Sequence, residues 1–342
     1  MKERRKRNMS RTGLLFLFCL LMLCGCAQIT RFMENTEVSG REVESLAAEK
    51  EDDTVLLGGM PVGIYMETDG VLVLDTEKMT GMDGKEYTPA QGVVSSGDYI
   101  TEVNHQKIEG KKQLMDLVEH LDGEKVLLTV RRENTILEKK LTPVQISKGN
   151  YRLGIWVRDN VQGLGTITFL TKNNRFAALG HGIHDIDTST LLTIKRGTLY
   201  RTSIQKVQKG SKGNPGTMEG IIVYNRFHQL GVIEKNTDAG IYGELNSDRS
   251  WIGEEVPIQV AKKEEIKTGE ARIRCYIDGE VKEYTICITQ IDKESDQVNK
   301  GMVIQVTDTE LLEKTGGIIQ GMSGSPIIQN GQLIGAVTQA VV

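Results

Sequence analysis

The pattern of apolar and polar positions divides the chain into four stretches. An uninterrupted apolar run, Gly13-Leu14-Leu15-Phe16-Leu17-Phe18-Cys19-Leu20-Leu21-Met22-Leu23-Cys24, lies near the start. Residues 28–54 carry no apolar period and read as a polar linker. From 55 to 147 the pattern is mixed. Short apolar stretches at 62–66, 71–74 and 97–104 predict strands, and Leu114, Leu117, Val118 and Leu121 share one face of a helix predicted over 111–121. Strands follow at 126–131 and 136–141, which makes this stretch an α+β module. From 151 to 342 the chain reads as many short apolar strands separated by Gly, Asn and Asp (163–170, 176–179, 220–224, 286–288, 333–337), with one short helix at 308–314. Strands at that spacing predict a mainly β fold, a sandwich or a pair of barrels, and the absence of a fixed period argues against a propeller or solenoid.

Composition narrows the class. With 342 residues, 39% hydrophobic and 26% charged, the chain has material for about two packed domains, which excludes wholesale disorder, collagen and a polytopic membrane protein. The net charge is −4, but residues 1–12 alone carry +5, so the remainder carries −9. Phosphate binding needs clustered basic residues on the folded body, so nucleic acid is not an expected partner. Lys2, Arg4, Arg5, Lys6, Arg7 and Arg11 stand before the apolar run, the order of a signal peptide or membrane anchor over 1–27 with its basic end on the cytoplasmic side. Leu23-Cys24-Gly25-Cys26 is similar to a bacterial lipobox, which makes Cys26 a candidate for lipidation. Everything beyond about residue 30 is then exported.

Export permits disulfides, yet three of the five cysteines lie in the leader. The other two, Cys275 and Cys287, flank a predicted hairpin (271–277 and 280–287) turning at Asp278-Gly279, which sets Cys275 opposite Lys282 and argues against a disulfide framework. No metal motif is present, and no cofactor is expected.

The candidate chemistry lies in Gly321-Met322-Ser323-Gly324-Ser325-Pro326. A serine between glycines at the start of a strand can expose its hydroxyl while neighbouring N–H groups converge on one point. The loop is similar to the G-D-S-G-G-P of chymotrypsin-like proteases, which would make Ser323 the nucleophile and the Gly321 and Ser323 amides the oxyanion hole. The competing reading is a plain Gly/Ser turn. A serine nucleophile needs a base. Of five histidines, His181 in Leu179-Gly180-His181-Gly182 ends a predicted strand and precedes the serine in chain order. Asp185, Asp187, Asp238 and Asp308 all remain open as a third member, and Thr307-Asp308-Thr309-Glu310 also reads as a capping box that starts the helix, in which Asp308 would favour the helix dipole.

Two resemblances organise these pieces. Ala90-Gln91-Gly92-Val93-Val94-Ser95-Ser96-Gly97-Asp98-Tyr99-Ile100, continuing to Val103-Asn104 and Ile108, resembles the G-D-x-I-x-x-V-N signature of a bacterial, permuted PDZ domain, implying a PDZ domain over 55–147. It implies a peptide groove made by Gly59, Pro61, Val62, Gly63 and Ile64 on one side and by Leu114, Leu117 and Val118 on the other. Its occupant would be a substrate tail or part of the chain itself.

Ala178-Leu179-Gly180-His181 with Asp185-Ile186-Asp187-Thr188, Lys209-Gly210-Ser211-Lys212-Gly213-Asn214-Pro215-Gly216, Asn236-Thr237, and residues 313–326 through the serine loop together resemble the stage IV sporulation protein B peptidases of endospore formers. That resemblance implies a serine peptidase domain over 151–342, a chymotrypsin-like double β-barrel, with His181 as base, Ser323 as nucleophile and Asp308 as acid. It also implies export into the space between forespore and mother-cell membranes, self-cleavage near the N-terminus, and cleavage of a membrane-bound regulator. That cleavage frees an intramembrane protease to activate a late mother-cell sigma factor. The family pattern continues past Gly335-Ala336-Val337-Thr338 with a histidine where Gln339 stands and a further β segment, so a shortened last barrel is expected here. The alternative from another class is an inactive PDZ scaffold, favoured by the short C-terminus and opposed by the presence of both His181 and Ser323. An esterase lacks support, because no G-x-S-x-G elbow is present.

Overall fold

The computed structural model describes residues 53–295 and 298–338. The leader over 1–27, Cys26 and nearly all of the linker lie outside the described residues, as does Gln339. The described chain from Thr54 onward forms one unit. No helix among the described residues is long and apolar enough to cross a membrane.

In chain order, β1 (Thr54–Leu57) leads into β2 (Pro61–Thr76), followed in the α+β module by β3 (Tyr99–Val103), α1 (Lys111–Glu119), β4 (Val126–Arg132) and β5 (Thr135–Leu141). The second long strand, β6 (Ile155–Leu170), precedes β7 (Arg175–Ala178), β8 (Ile194–Tyr200), β9 (Gln229–Thr237) and β10 (Gly240–Leu245). The remainder comprises β11 (Pro257–Val260), β12 (Gly269–Ile277), β13 (Glu280–Ile291), β14 (Met302–Val306), α2 (Thr309–Thr315), β15 (Pro326–Gln329) and β16 (Gln332–Ala336).

β2 and β6 form the spine of the molecule. They pair antiparallel from Pro61 opposite Thr166 to Thr76 opposite Ile155. In the first half of β2, Val62, Ile64 and Met66 alternate into a core with Ile167, Phe176, Leu199, Ile233 and Ile241, as a period-two strand must when one face is buried. Here the strands close on themselves in the order β2–β6–β7–β10–β9–β8–β2, a six-stranded barrel. In its second half β2 enters the module, pairing with β3, and Val71 and Val73 join a different core with Ile100, Val103, Leu114, Leu128 and Val130.

The break expected between strands at 62–66 and 71–74 is therefore a passage and not a turn. Gly70 takes a φ of +91°, where any Cβ would lie 2.8 Å from the Ile100 carbonyl oxygen, and the Thr68 hydroxyl donates to the Gly70 carbonyl at 2.7 Å. This lets one strand change partners without ending. It also corrects the expected module boundary: the first half of β2 belongs to the barrel and β1 pairs with β6 and β11, so the module begins near residue 70 and not at 55, and Thr54 lies in a strand and not in a linker.

A second core gathers Ile273, Cys275, Ile286, Leu311, Met322 and Ile327. Its sheet runs β14–β13–β12–β15–β16–β11–β1 and is open among the described residues. The β12–β13 hairpin turns at Asp278 (φ 53°) and Gly279 (φ 90°) with Cys275 opposite Lys282, and both cysteines are free thiols. Burial, with the nearby Asp308 charge as a smaller contribution, pushes the Cys275 thiol up from 9.0 to about 12. The folded state then keeps a proton that the unfolded chain releases. Stability from this site is complete below pH 9.0 and lost as the pH rises towards 12. Denaturation midpoints measured through that interval should fall in wild type and fall less in Cys275→Ala.

Candidate active site

The base-bearing segment leaves the barrel at the end of β7. Leu179 and Gly180 both adopt left-handed φ (71° and 68°), turning the chain sharply so that His181 stands half-buried at the barrel rim. Gly180 packs against the chain that follows β16, for a Cβ there would lie 3.1 Å from Ala336 Cβ and 3.3 Å from Thr338 Cγ2. The serine loop arrives from the other core. Gly324, at φ +95°, lies against Leu179 so closely that a Cβ would fall 2.5 Å from the Leu179 nitrogen. The two loops singled out in the sequence thus meet where the cores adjoin.

The strand β6 holds the serine loop in place. Thr166 N donates to the Ser323 carbonyl (2.9 Å), Thr166 Oγ1 to the Gly321 carbonyl (2.9 Å), and Thr168 Oγ1 to the Gly324 carbonyl (2.8 Å). Both threonines are buried. With its carbonyls engaged, the loop presents the Gly321 and Ser323 amides, which donate to no acceptor among the described residues. The hexamer has two serines, and burial separates them. Ser323 is half-exposed, and its hydroxyl donates to the Thr338 carbonyl at 3.2 Å, whereas the Ser325 hydroxyl is fully buried with no partner among the described residues.

None of the carboxylates offered by the sequence hydrogen-bonds His181 among the described residues. Asp308 is the N-cap of α2: one carboxylate oxygen accepts from Leu311 N (3.1 Å) and the other from Thr285 N (3.3 Å). Both oxygens thus accept from main-chain donors beside the second core, and neither hydrogen-bonds His181 among the described residues, unlike the acid that the family resemblance implies. Asp185 is buried, paired with Arg158, and accepts from Asp187 N and Thr188 N. Asp187 also pairs with Arg158 (2.7 Å). The Asp238 carboxylate is largely exposed, 3.8 Å from His184 Nε2. The partner His181 does have is a carbonyl: its Nδ1 lies 2.9 Å from Gly182 O. Asp308→Asn, which keeps a good cap, should therefore hold kcat within a few-fold of wild type, where a triad acid would lose about 10⁴. Steady-state peptide hydrolysis checks it.

The expected peptide-groove residues divide. Val62 and Ile64 are barrel-core side chains. Gly63 pairs with Leu164 on one side and Tyr200 on the other, and Pro61 with Thr166. At Gly63 and Ile64 both edges are filled, so no peptide can be added there as a further strand. Pro61 and Val62 pair with β6 on one edge and Gly59 N donates to the Ile167 carbonyl (2.8 Å), so the stretch Gly59, Pro61, Val62, Gly63 and Ile64 expected to form a peptide groove is built into the barrel. Leu114 is buried in the module core, with Leu117 and Val118 half-buried against it. The strand beside α1 is the start of β6, where Asp159 accepts from Lys111 N at 2.8 Å.

Sequence reasoning missed Thr166, Thr168 and Arg158, and gave no role of their own to Tyr99 and Asn236, which it read only within the two family resemblances; all five brace the two loops. Arg158 on β6 grips Asp185 and Asp187, Tyr99 of the module accepts at its hydroxyl from Thr193 N (3.1 Å), and Leu72, Tyr99 and Leu192 form a small shared core. Nothing in the sequence marks these roles, since each residue acts across the fold. Among the described residues no cluster of three or more His, Cys, Asp or Glu side chains is placed to hold a metal ion.

A sequence family described as SpoIVB peptidase S55 matches residues 149–342, more than half of the chain. A putative zinc metalloprotease of Helicobacter pylori is 31% identical over a segment covering 29% of this chain and 31% of that protein, so the chain spans about a third of the length of that relative. Among solved structures, the PDZ domain of an SdrC-like protein from Listeria monocytogenes matches at 24% identity and a TM-score of 0.21, covering 26% of this chain and 87% of that one.

Proposed function

Because the chain belongs to the SpoIVB peptidase S55 family and is thereby a serine peptidase, we propose that it is an endopeptidase whose nucleophile is Ser323 and whose base is His181. The observation that carries this is the meeting of the two loops, with the Gly321 and Ser323 amides unengaged among the described residues beside the half-exposed serine. His181 Nε2 takes the proton of the Ser323 hydroxyl as its oxygen attacks a peptide carbonyl. The two amides receive the negative charge that forms on the carbonyl oxygen. Protonated His181 then gives its proton to the leaving amine, and water repeats the sequence on the acyl-enzyme. The Ser323 hydroxyl turns from Thr338 O to His181 as substrate enters, a tightening common to catalytic hydrogen bonds.

The closed first barrel and the second β core support reading the peptidase domain as a chymotrypsin-like double barrel. We read the module as a PDZ domain, with its peptide groove between α1 and the start of β6, where a substrate tail or a segment of this chain would lie. The basic and apolar leader supports export and tethering to a membrane. The family supports action in sporulation signalling, with the chain's own N-terminal region and a membrane-bound regulator as substrates, in the space between forespore and mother-cell membranes. The test is to incubate the detergent-solubilised full chain alone and with a fluorophosphonate, following intact mass. Self-cleavage and labelling should both occur. A folded chain that does neither returns the assignment to a peptide-binding scaffold.

A further inference from the structure

A serine–histidine pair needs something to hold the imidazole with Nε2 free of its proton and turned to the serine. In a triad a carboxylate does this by accepting from Nδ1–H. Here no candidate carboxylate hydrogen-bonds His181 among the described residues, and His181 Nδ1 faces the Gly182 carbonyl at 2.9 Å. A main-chain carbonyl accepts and cannot donate, so the contact is a hydrogen bond only when Nδ1 carries the proton. That is the tautomer a general base requires.

What aims this carbonyl is Asn236, near the end of β9. Its Oδ1 accepts from Ile183 N at 2.9 Å, and its Nδ2 donates to Ile183 O (2.9 Å) and to Leu192 O (3.0 Å). The Ile183 N–H and the Gly182 C=O belong to one planar trans peptide group and point in opposite directions. Fixing the N–H against Asn236 therefore fixes the carbonyl towards His181. The preceding peptide, His181–Gly182, is held as well, since Gly182 N donates to Asp238 O (3.2 Å). A Cβ on Gly182 would lie 2.4 Å from Leu191 Cδ1 and 2.5 Å from Thr237 O, so the loop seats directly on the β9–β10 turn. His184 Nδ1 shares the carbonyl at 3.2 Å, a longer bond to its second lone pair.

We propose that Asn236 is the positioning residue of this peptidase: through the Gly182–Ile183 peptide it holds His181 as the Nδ1–H tautomer, the task a triad carboxylate performs elsewhere. The inference rests on the assignment of His181 as base, but its first test does not depend on activity. The full chain labelled with ¹⁵N-histidine contains five histidines, and His181 is assigned by the signal lost in His181→Gln. At a pH where the ring is neutral, its nitrogen shifts should report Nδ1–H in the wild type. An Nε2–H tautomer there overturns the proposal, whether or not the chain cleaves peptides.

The second test splits kcat from KM. Asn236→Asp keeps the acceptor for Ile183 N–H but replaces two donors by an oxygen facing the Ile183 and Leu192 carbonyls, and Asn236→Ala removes all three bonds. Both should lower kcat by about 10²-fold, the scale of a misplaced catalytic group, with KM little changed and the His181 tautomer becoming mixed. A folded variant that keeps kcat within threefold, or keeps a pure Nδ1–H signal, would show that Asn236 only braces the loop. If neither variant folds, the wild-type tautomer alone decides. Should wild type and Ser323→Ala be equally inactive while His181 is Nδ1–H, the catalytic assignment fails and the positioning geometry stands.

Discussion

Ser323→Ala is expected to abolish fluorophosphonate labelling and to lower peptide hydrolysis by roughly 10⁴- to 10⁶-fold, the scale seen when an activated serine is removed. The fold should barely notice. Ser323 is half-exposed and its hydroxyl makes one hydrogen bond, to Thr338 O at 3.2 Å, so the loss in stability is about 1 kcal/mol or less. Loop geometry is set by contacts the variant retains: Thr166 and Thr168 on the carbonyls of Gly321, Ser323 and Gly324. His181→Ala should cost nearly as much in kcat, and the double variant little more than either, because the two act as one unit. Ser325→Ala is the control. It removes a buried hydroxyl without a partner among the described residues, and activity should persist. The assignment is sunk if Ser323→Ala still labels, or if Ser325→Ala is the variant that fails.

The second large effect is expected on stability. Asp185 is buried, and its carboxylate is balanced by Arg158 together with the Asp187 and Thr188 amides. Arg158→Ala leaves that charge beneath the protein surface with amide donors alone, and breaking a buried pair from one side costs about 3 kcal/mol. The cost should fall on the segment that follows His181, which Arg158, Tyr99 and Asn236 all hold. Hydrogen exchange should therefore show residues 183–193 opening well before the barrel, and kcat should fall with them. Asp185→Asn in the Arg158→Ala background should recover part of the stability, since the uncompensated charge is then gone. Unchanged stability in Arg158→Ala, or no recovery in the double variant, would mean that the pair is a surface contact of little weight.

How much was legible in the sequence depends on the range of the interaction. Local signals were reliable. The Asp278-Gly279 turn dictates a hairpin and its register, with Cys275 opposite Lys282, and the apolar spacing of Leu114, Leu117 and Val118 dictates a helix with one buried face. Ser323 and His181 were visible because glycines stand close to both, and Gly180, Gly321 and Gly324 take left-handed backbone conformations beside them. A helix start at 307–310 was also legible, and the structure makes Asp308 its N-cap.

Long-range pairings were not legible. A period-two stretch declares that it is a strand and not which strands flank it, so Val62 and Ile64 read equally as a peptide-binding edge or as an interior strand of a barrel. Only closure of β2 between β6 and β8 decided for the barrel. Nor does a sequence show that a strand runs through Gly70 from one core into another, because that passage depends on the approach of the Ile100 carbonyl. The same holds for the orientation of the base. Residue types and their local spacing singled out the candidate serine and histidine and determined the mainly β character of the fold. What aims the histidine was decided by the tertiary structure, since Asn236 reaches Ile183 across 53 positions, and Arg158 reaches Asp185 across 27, only once the barrel has closed.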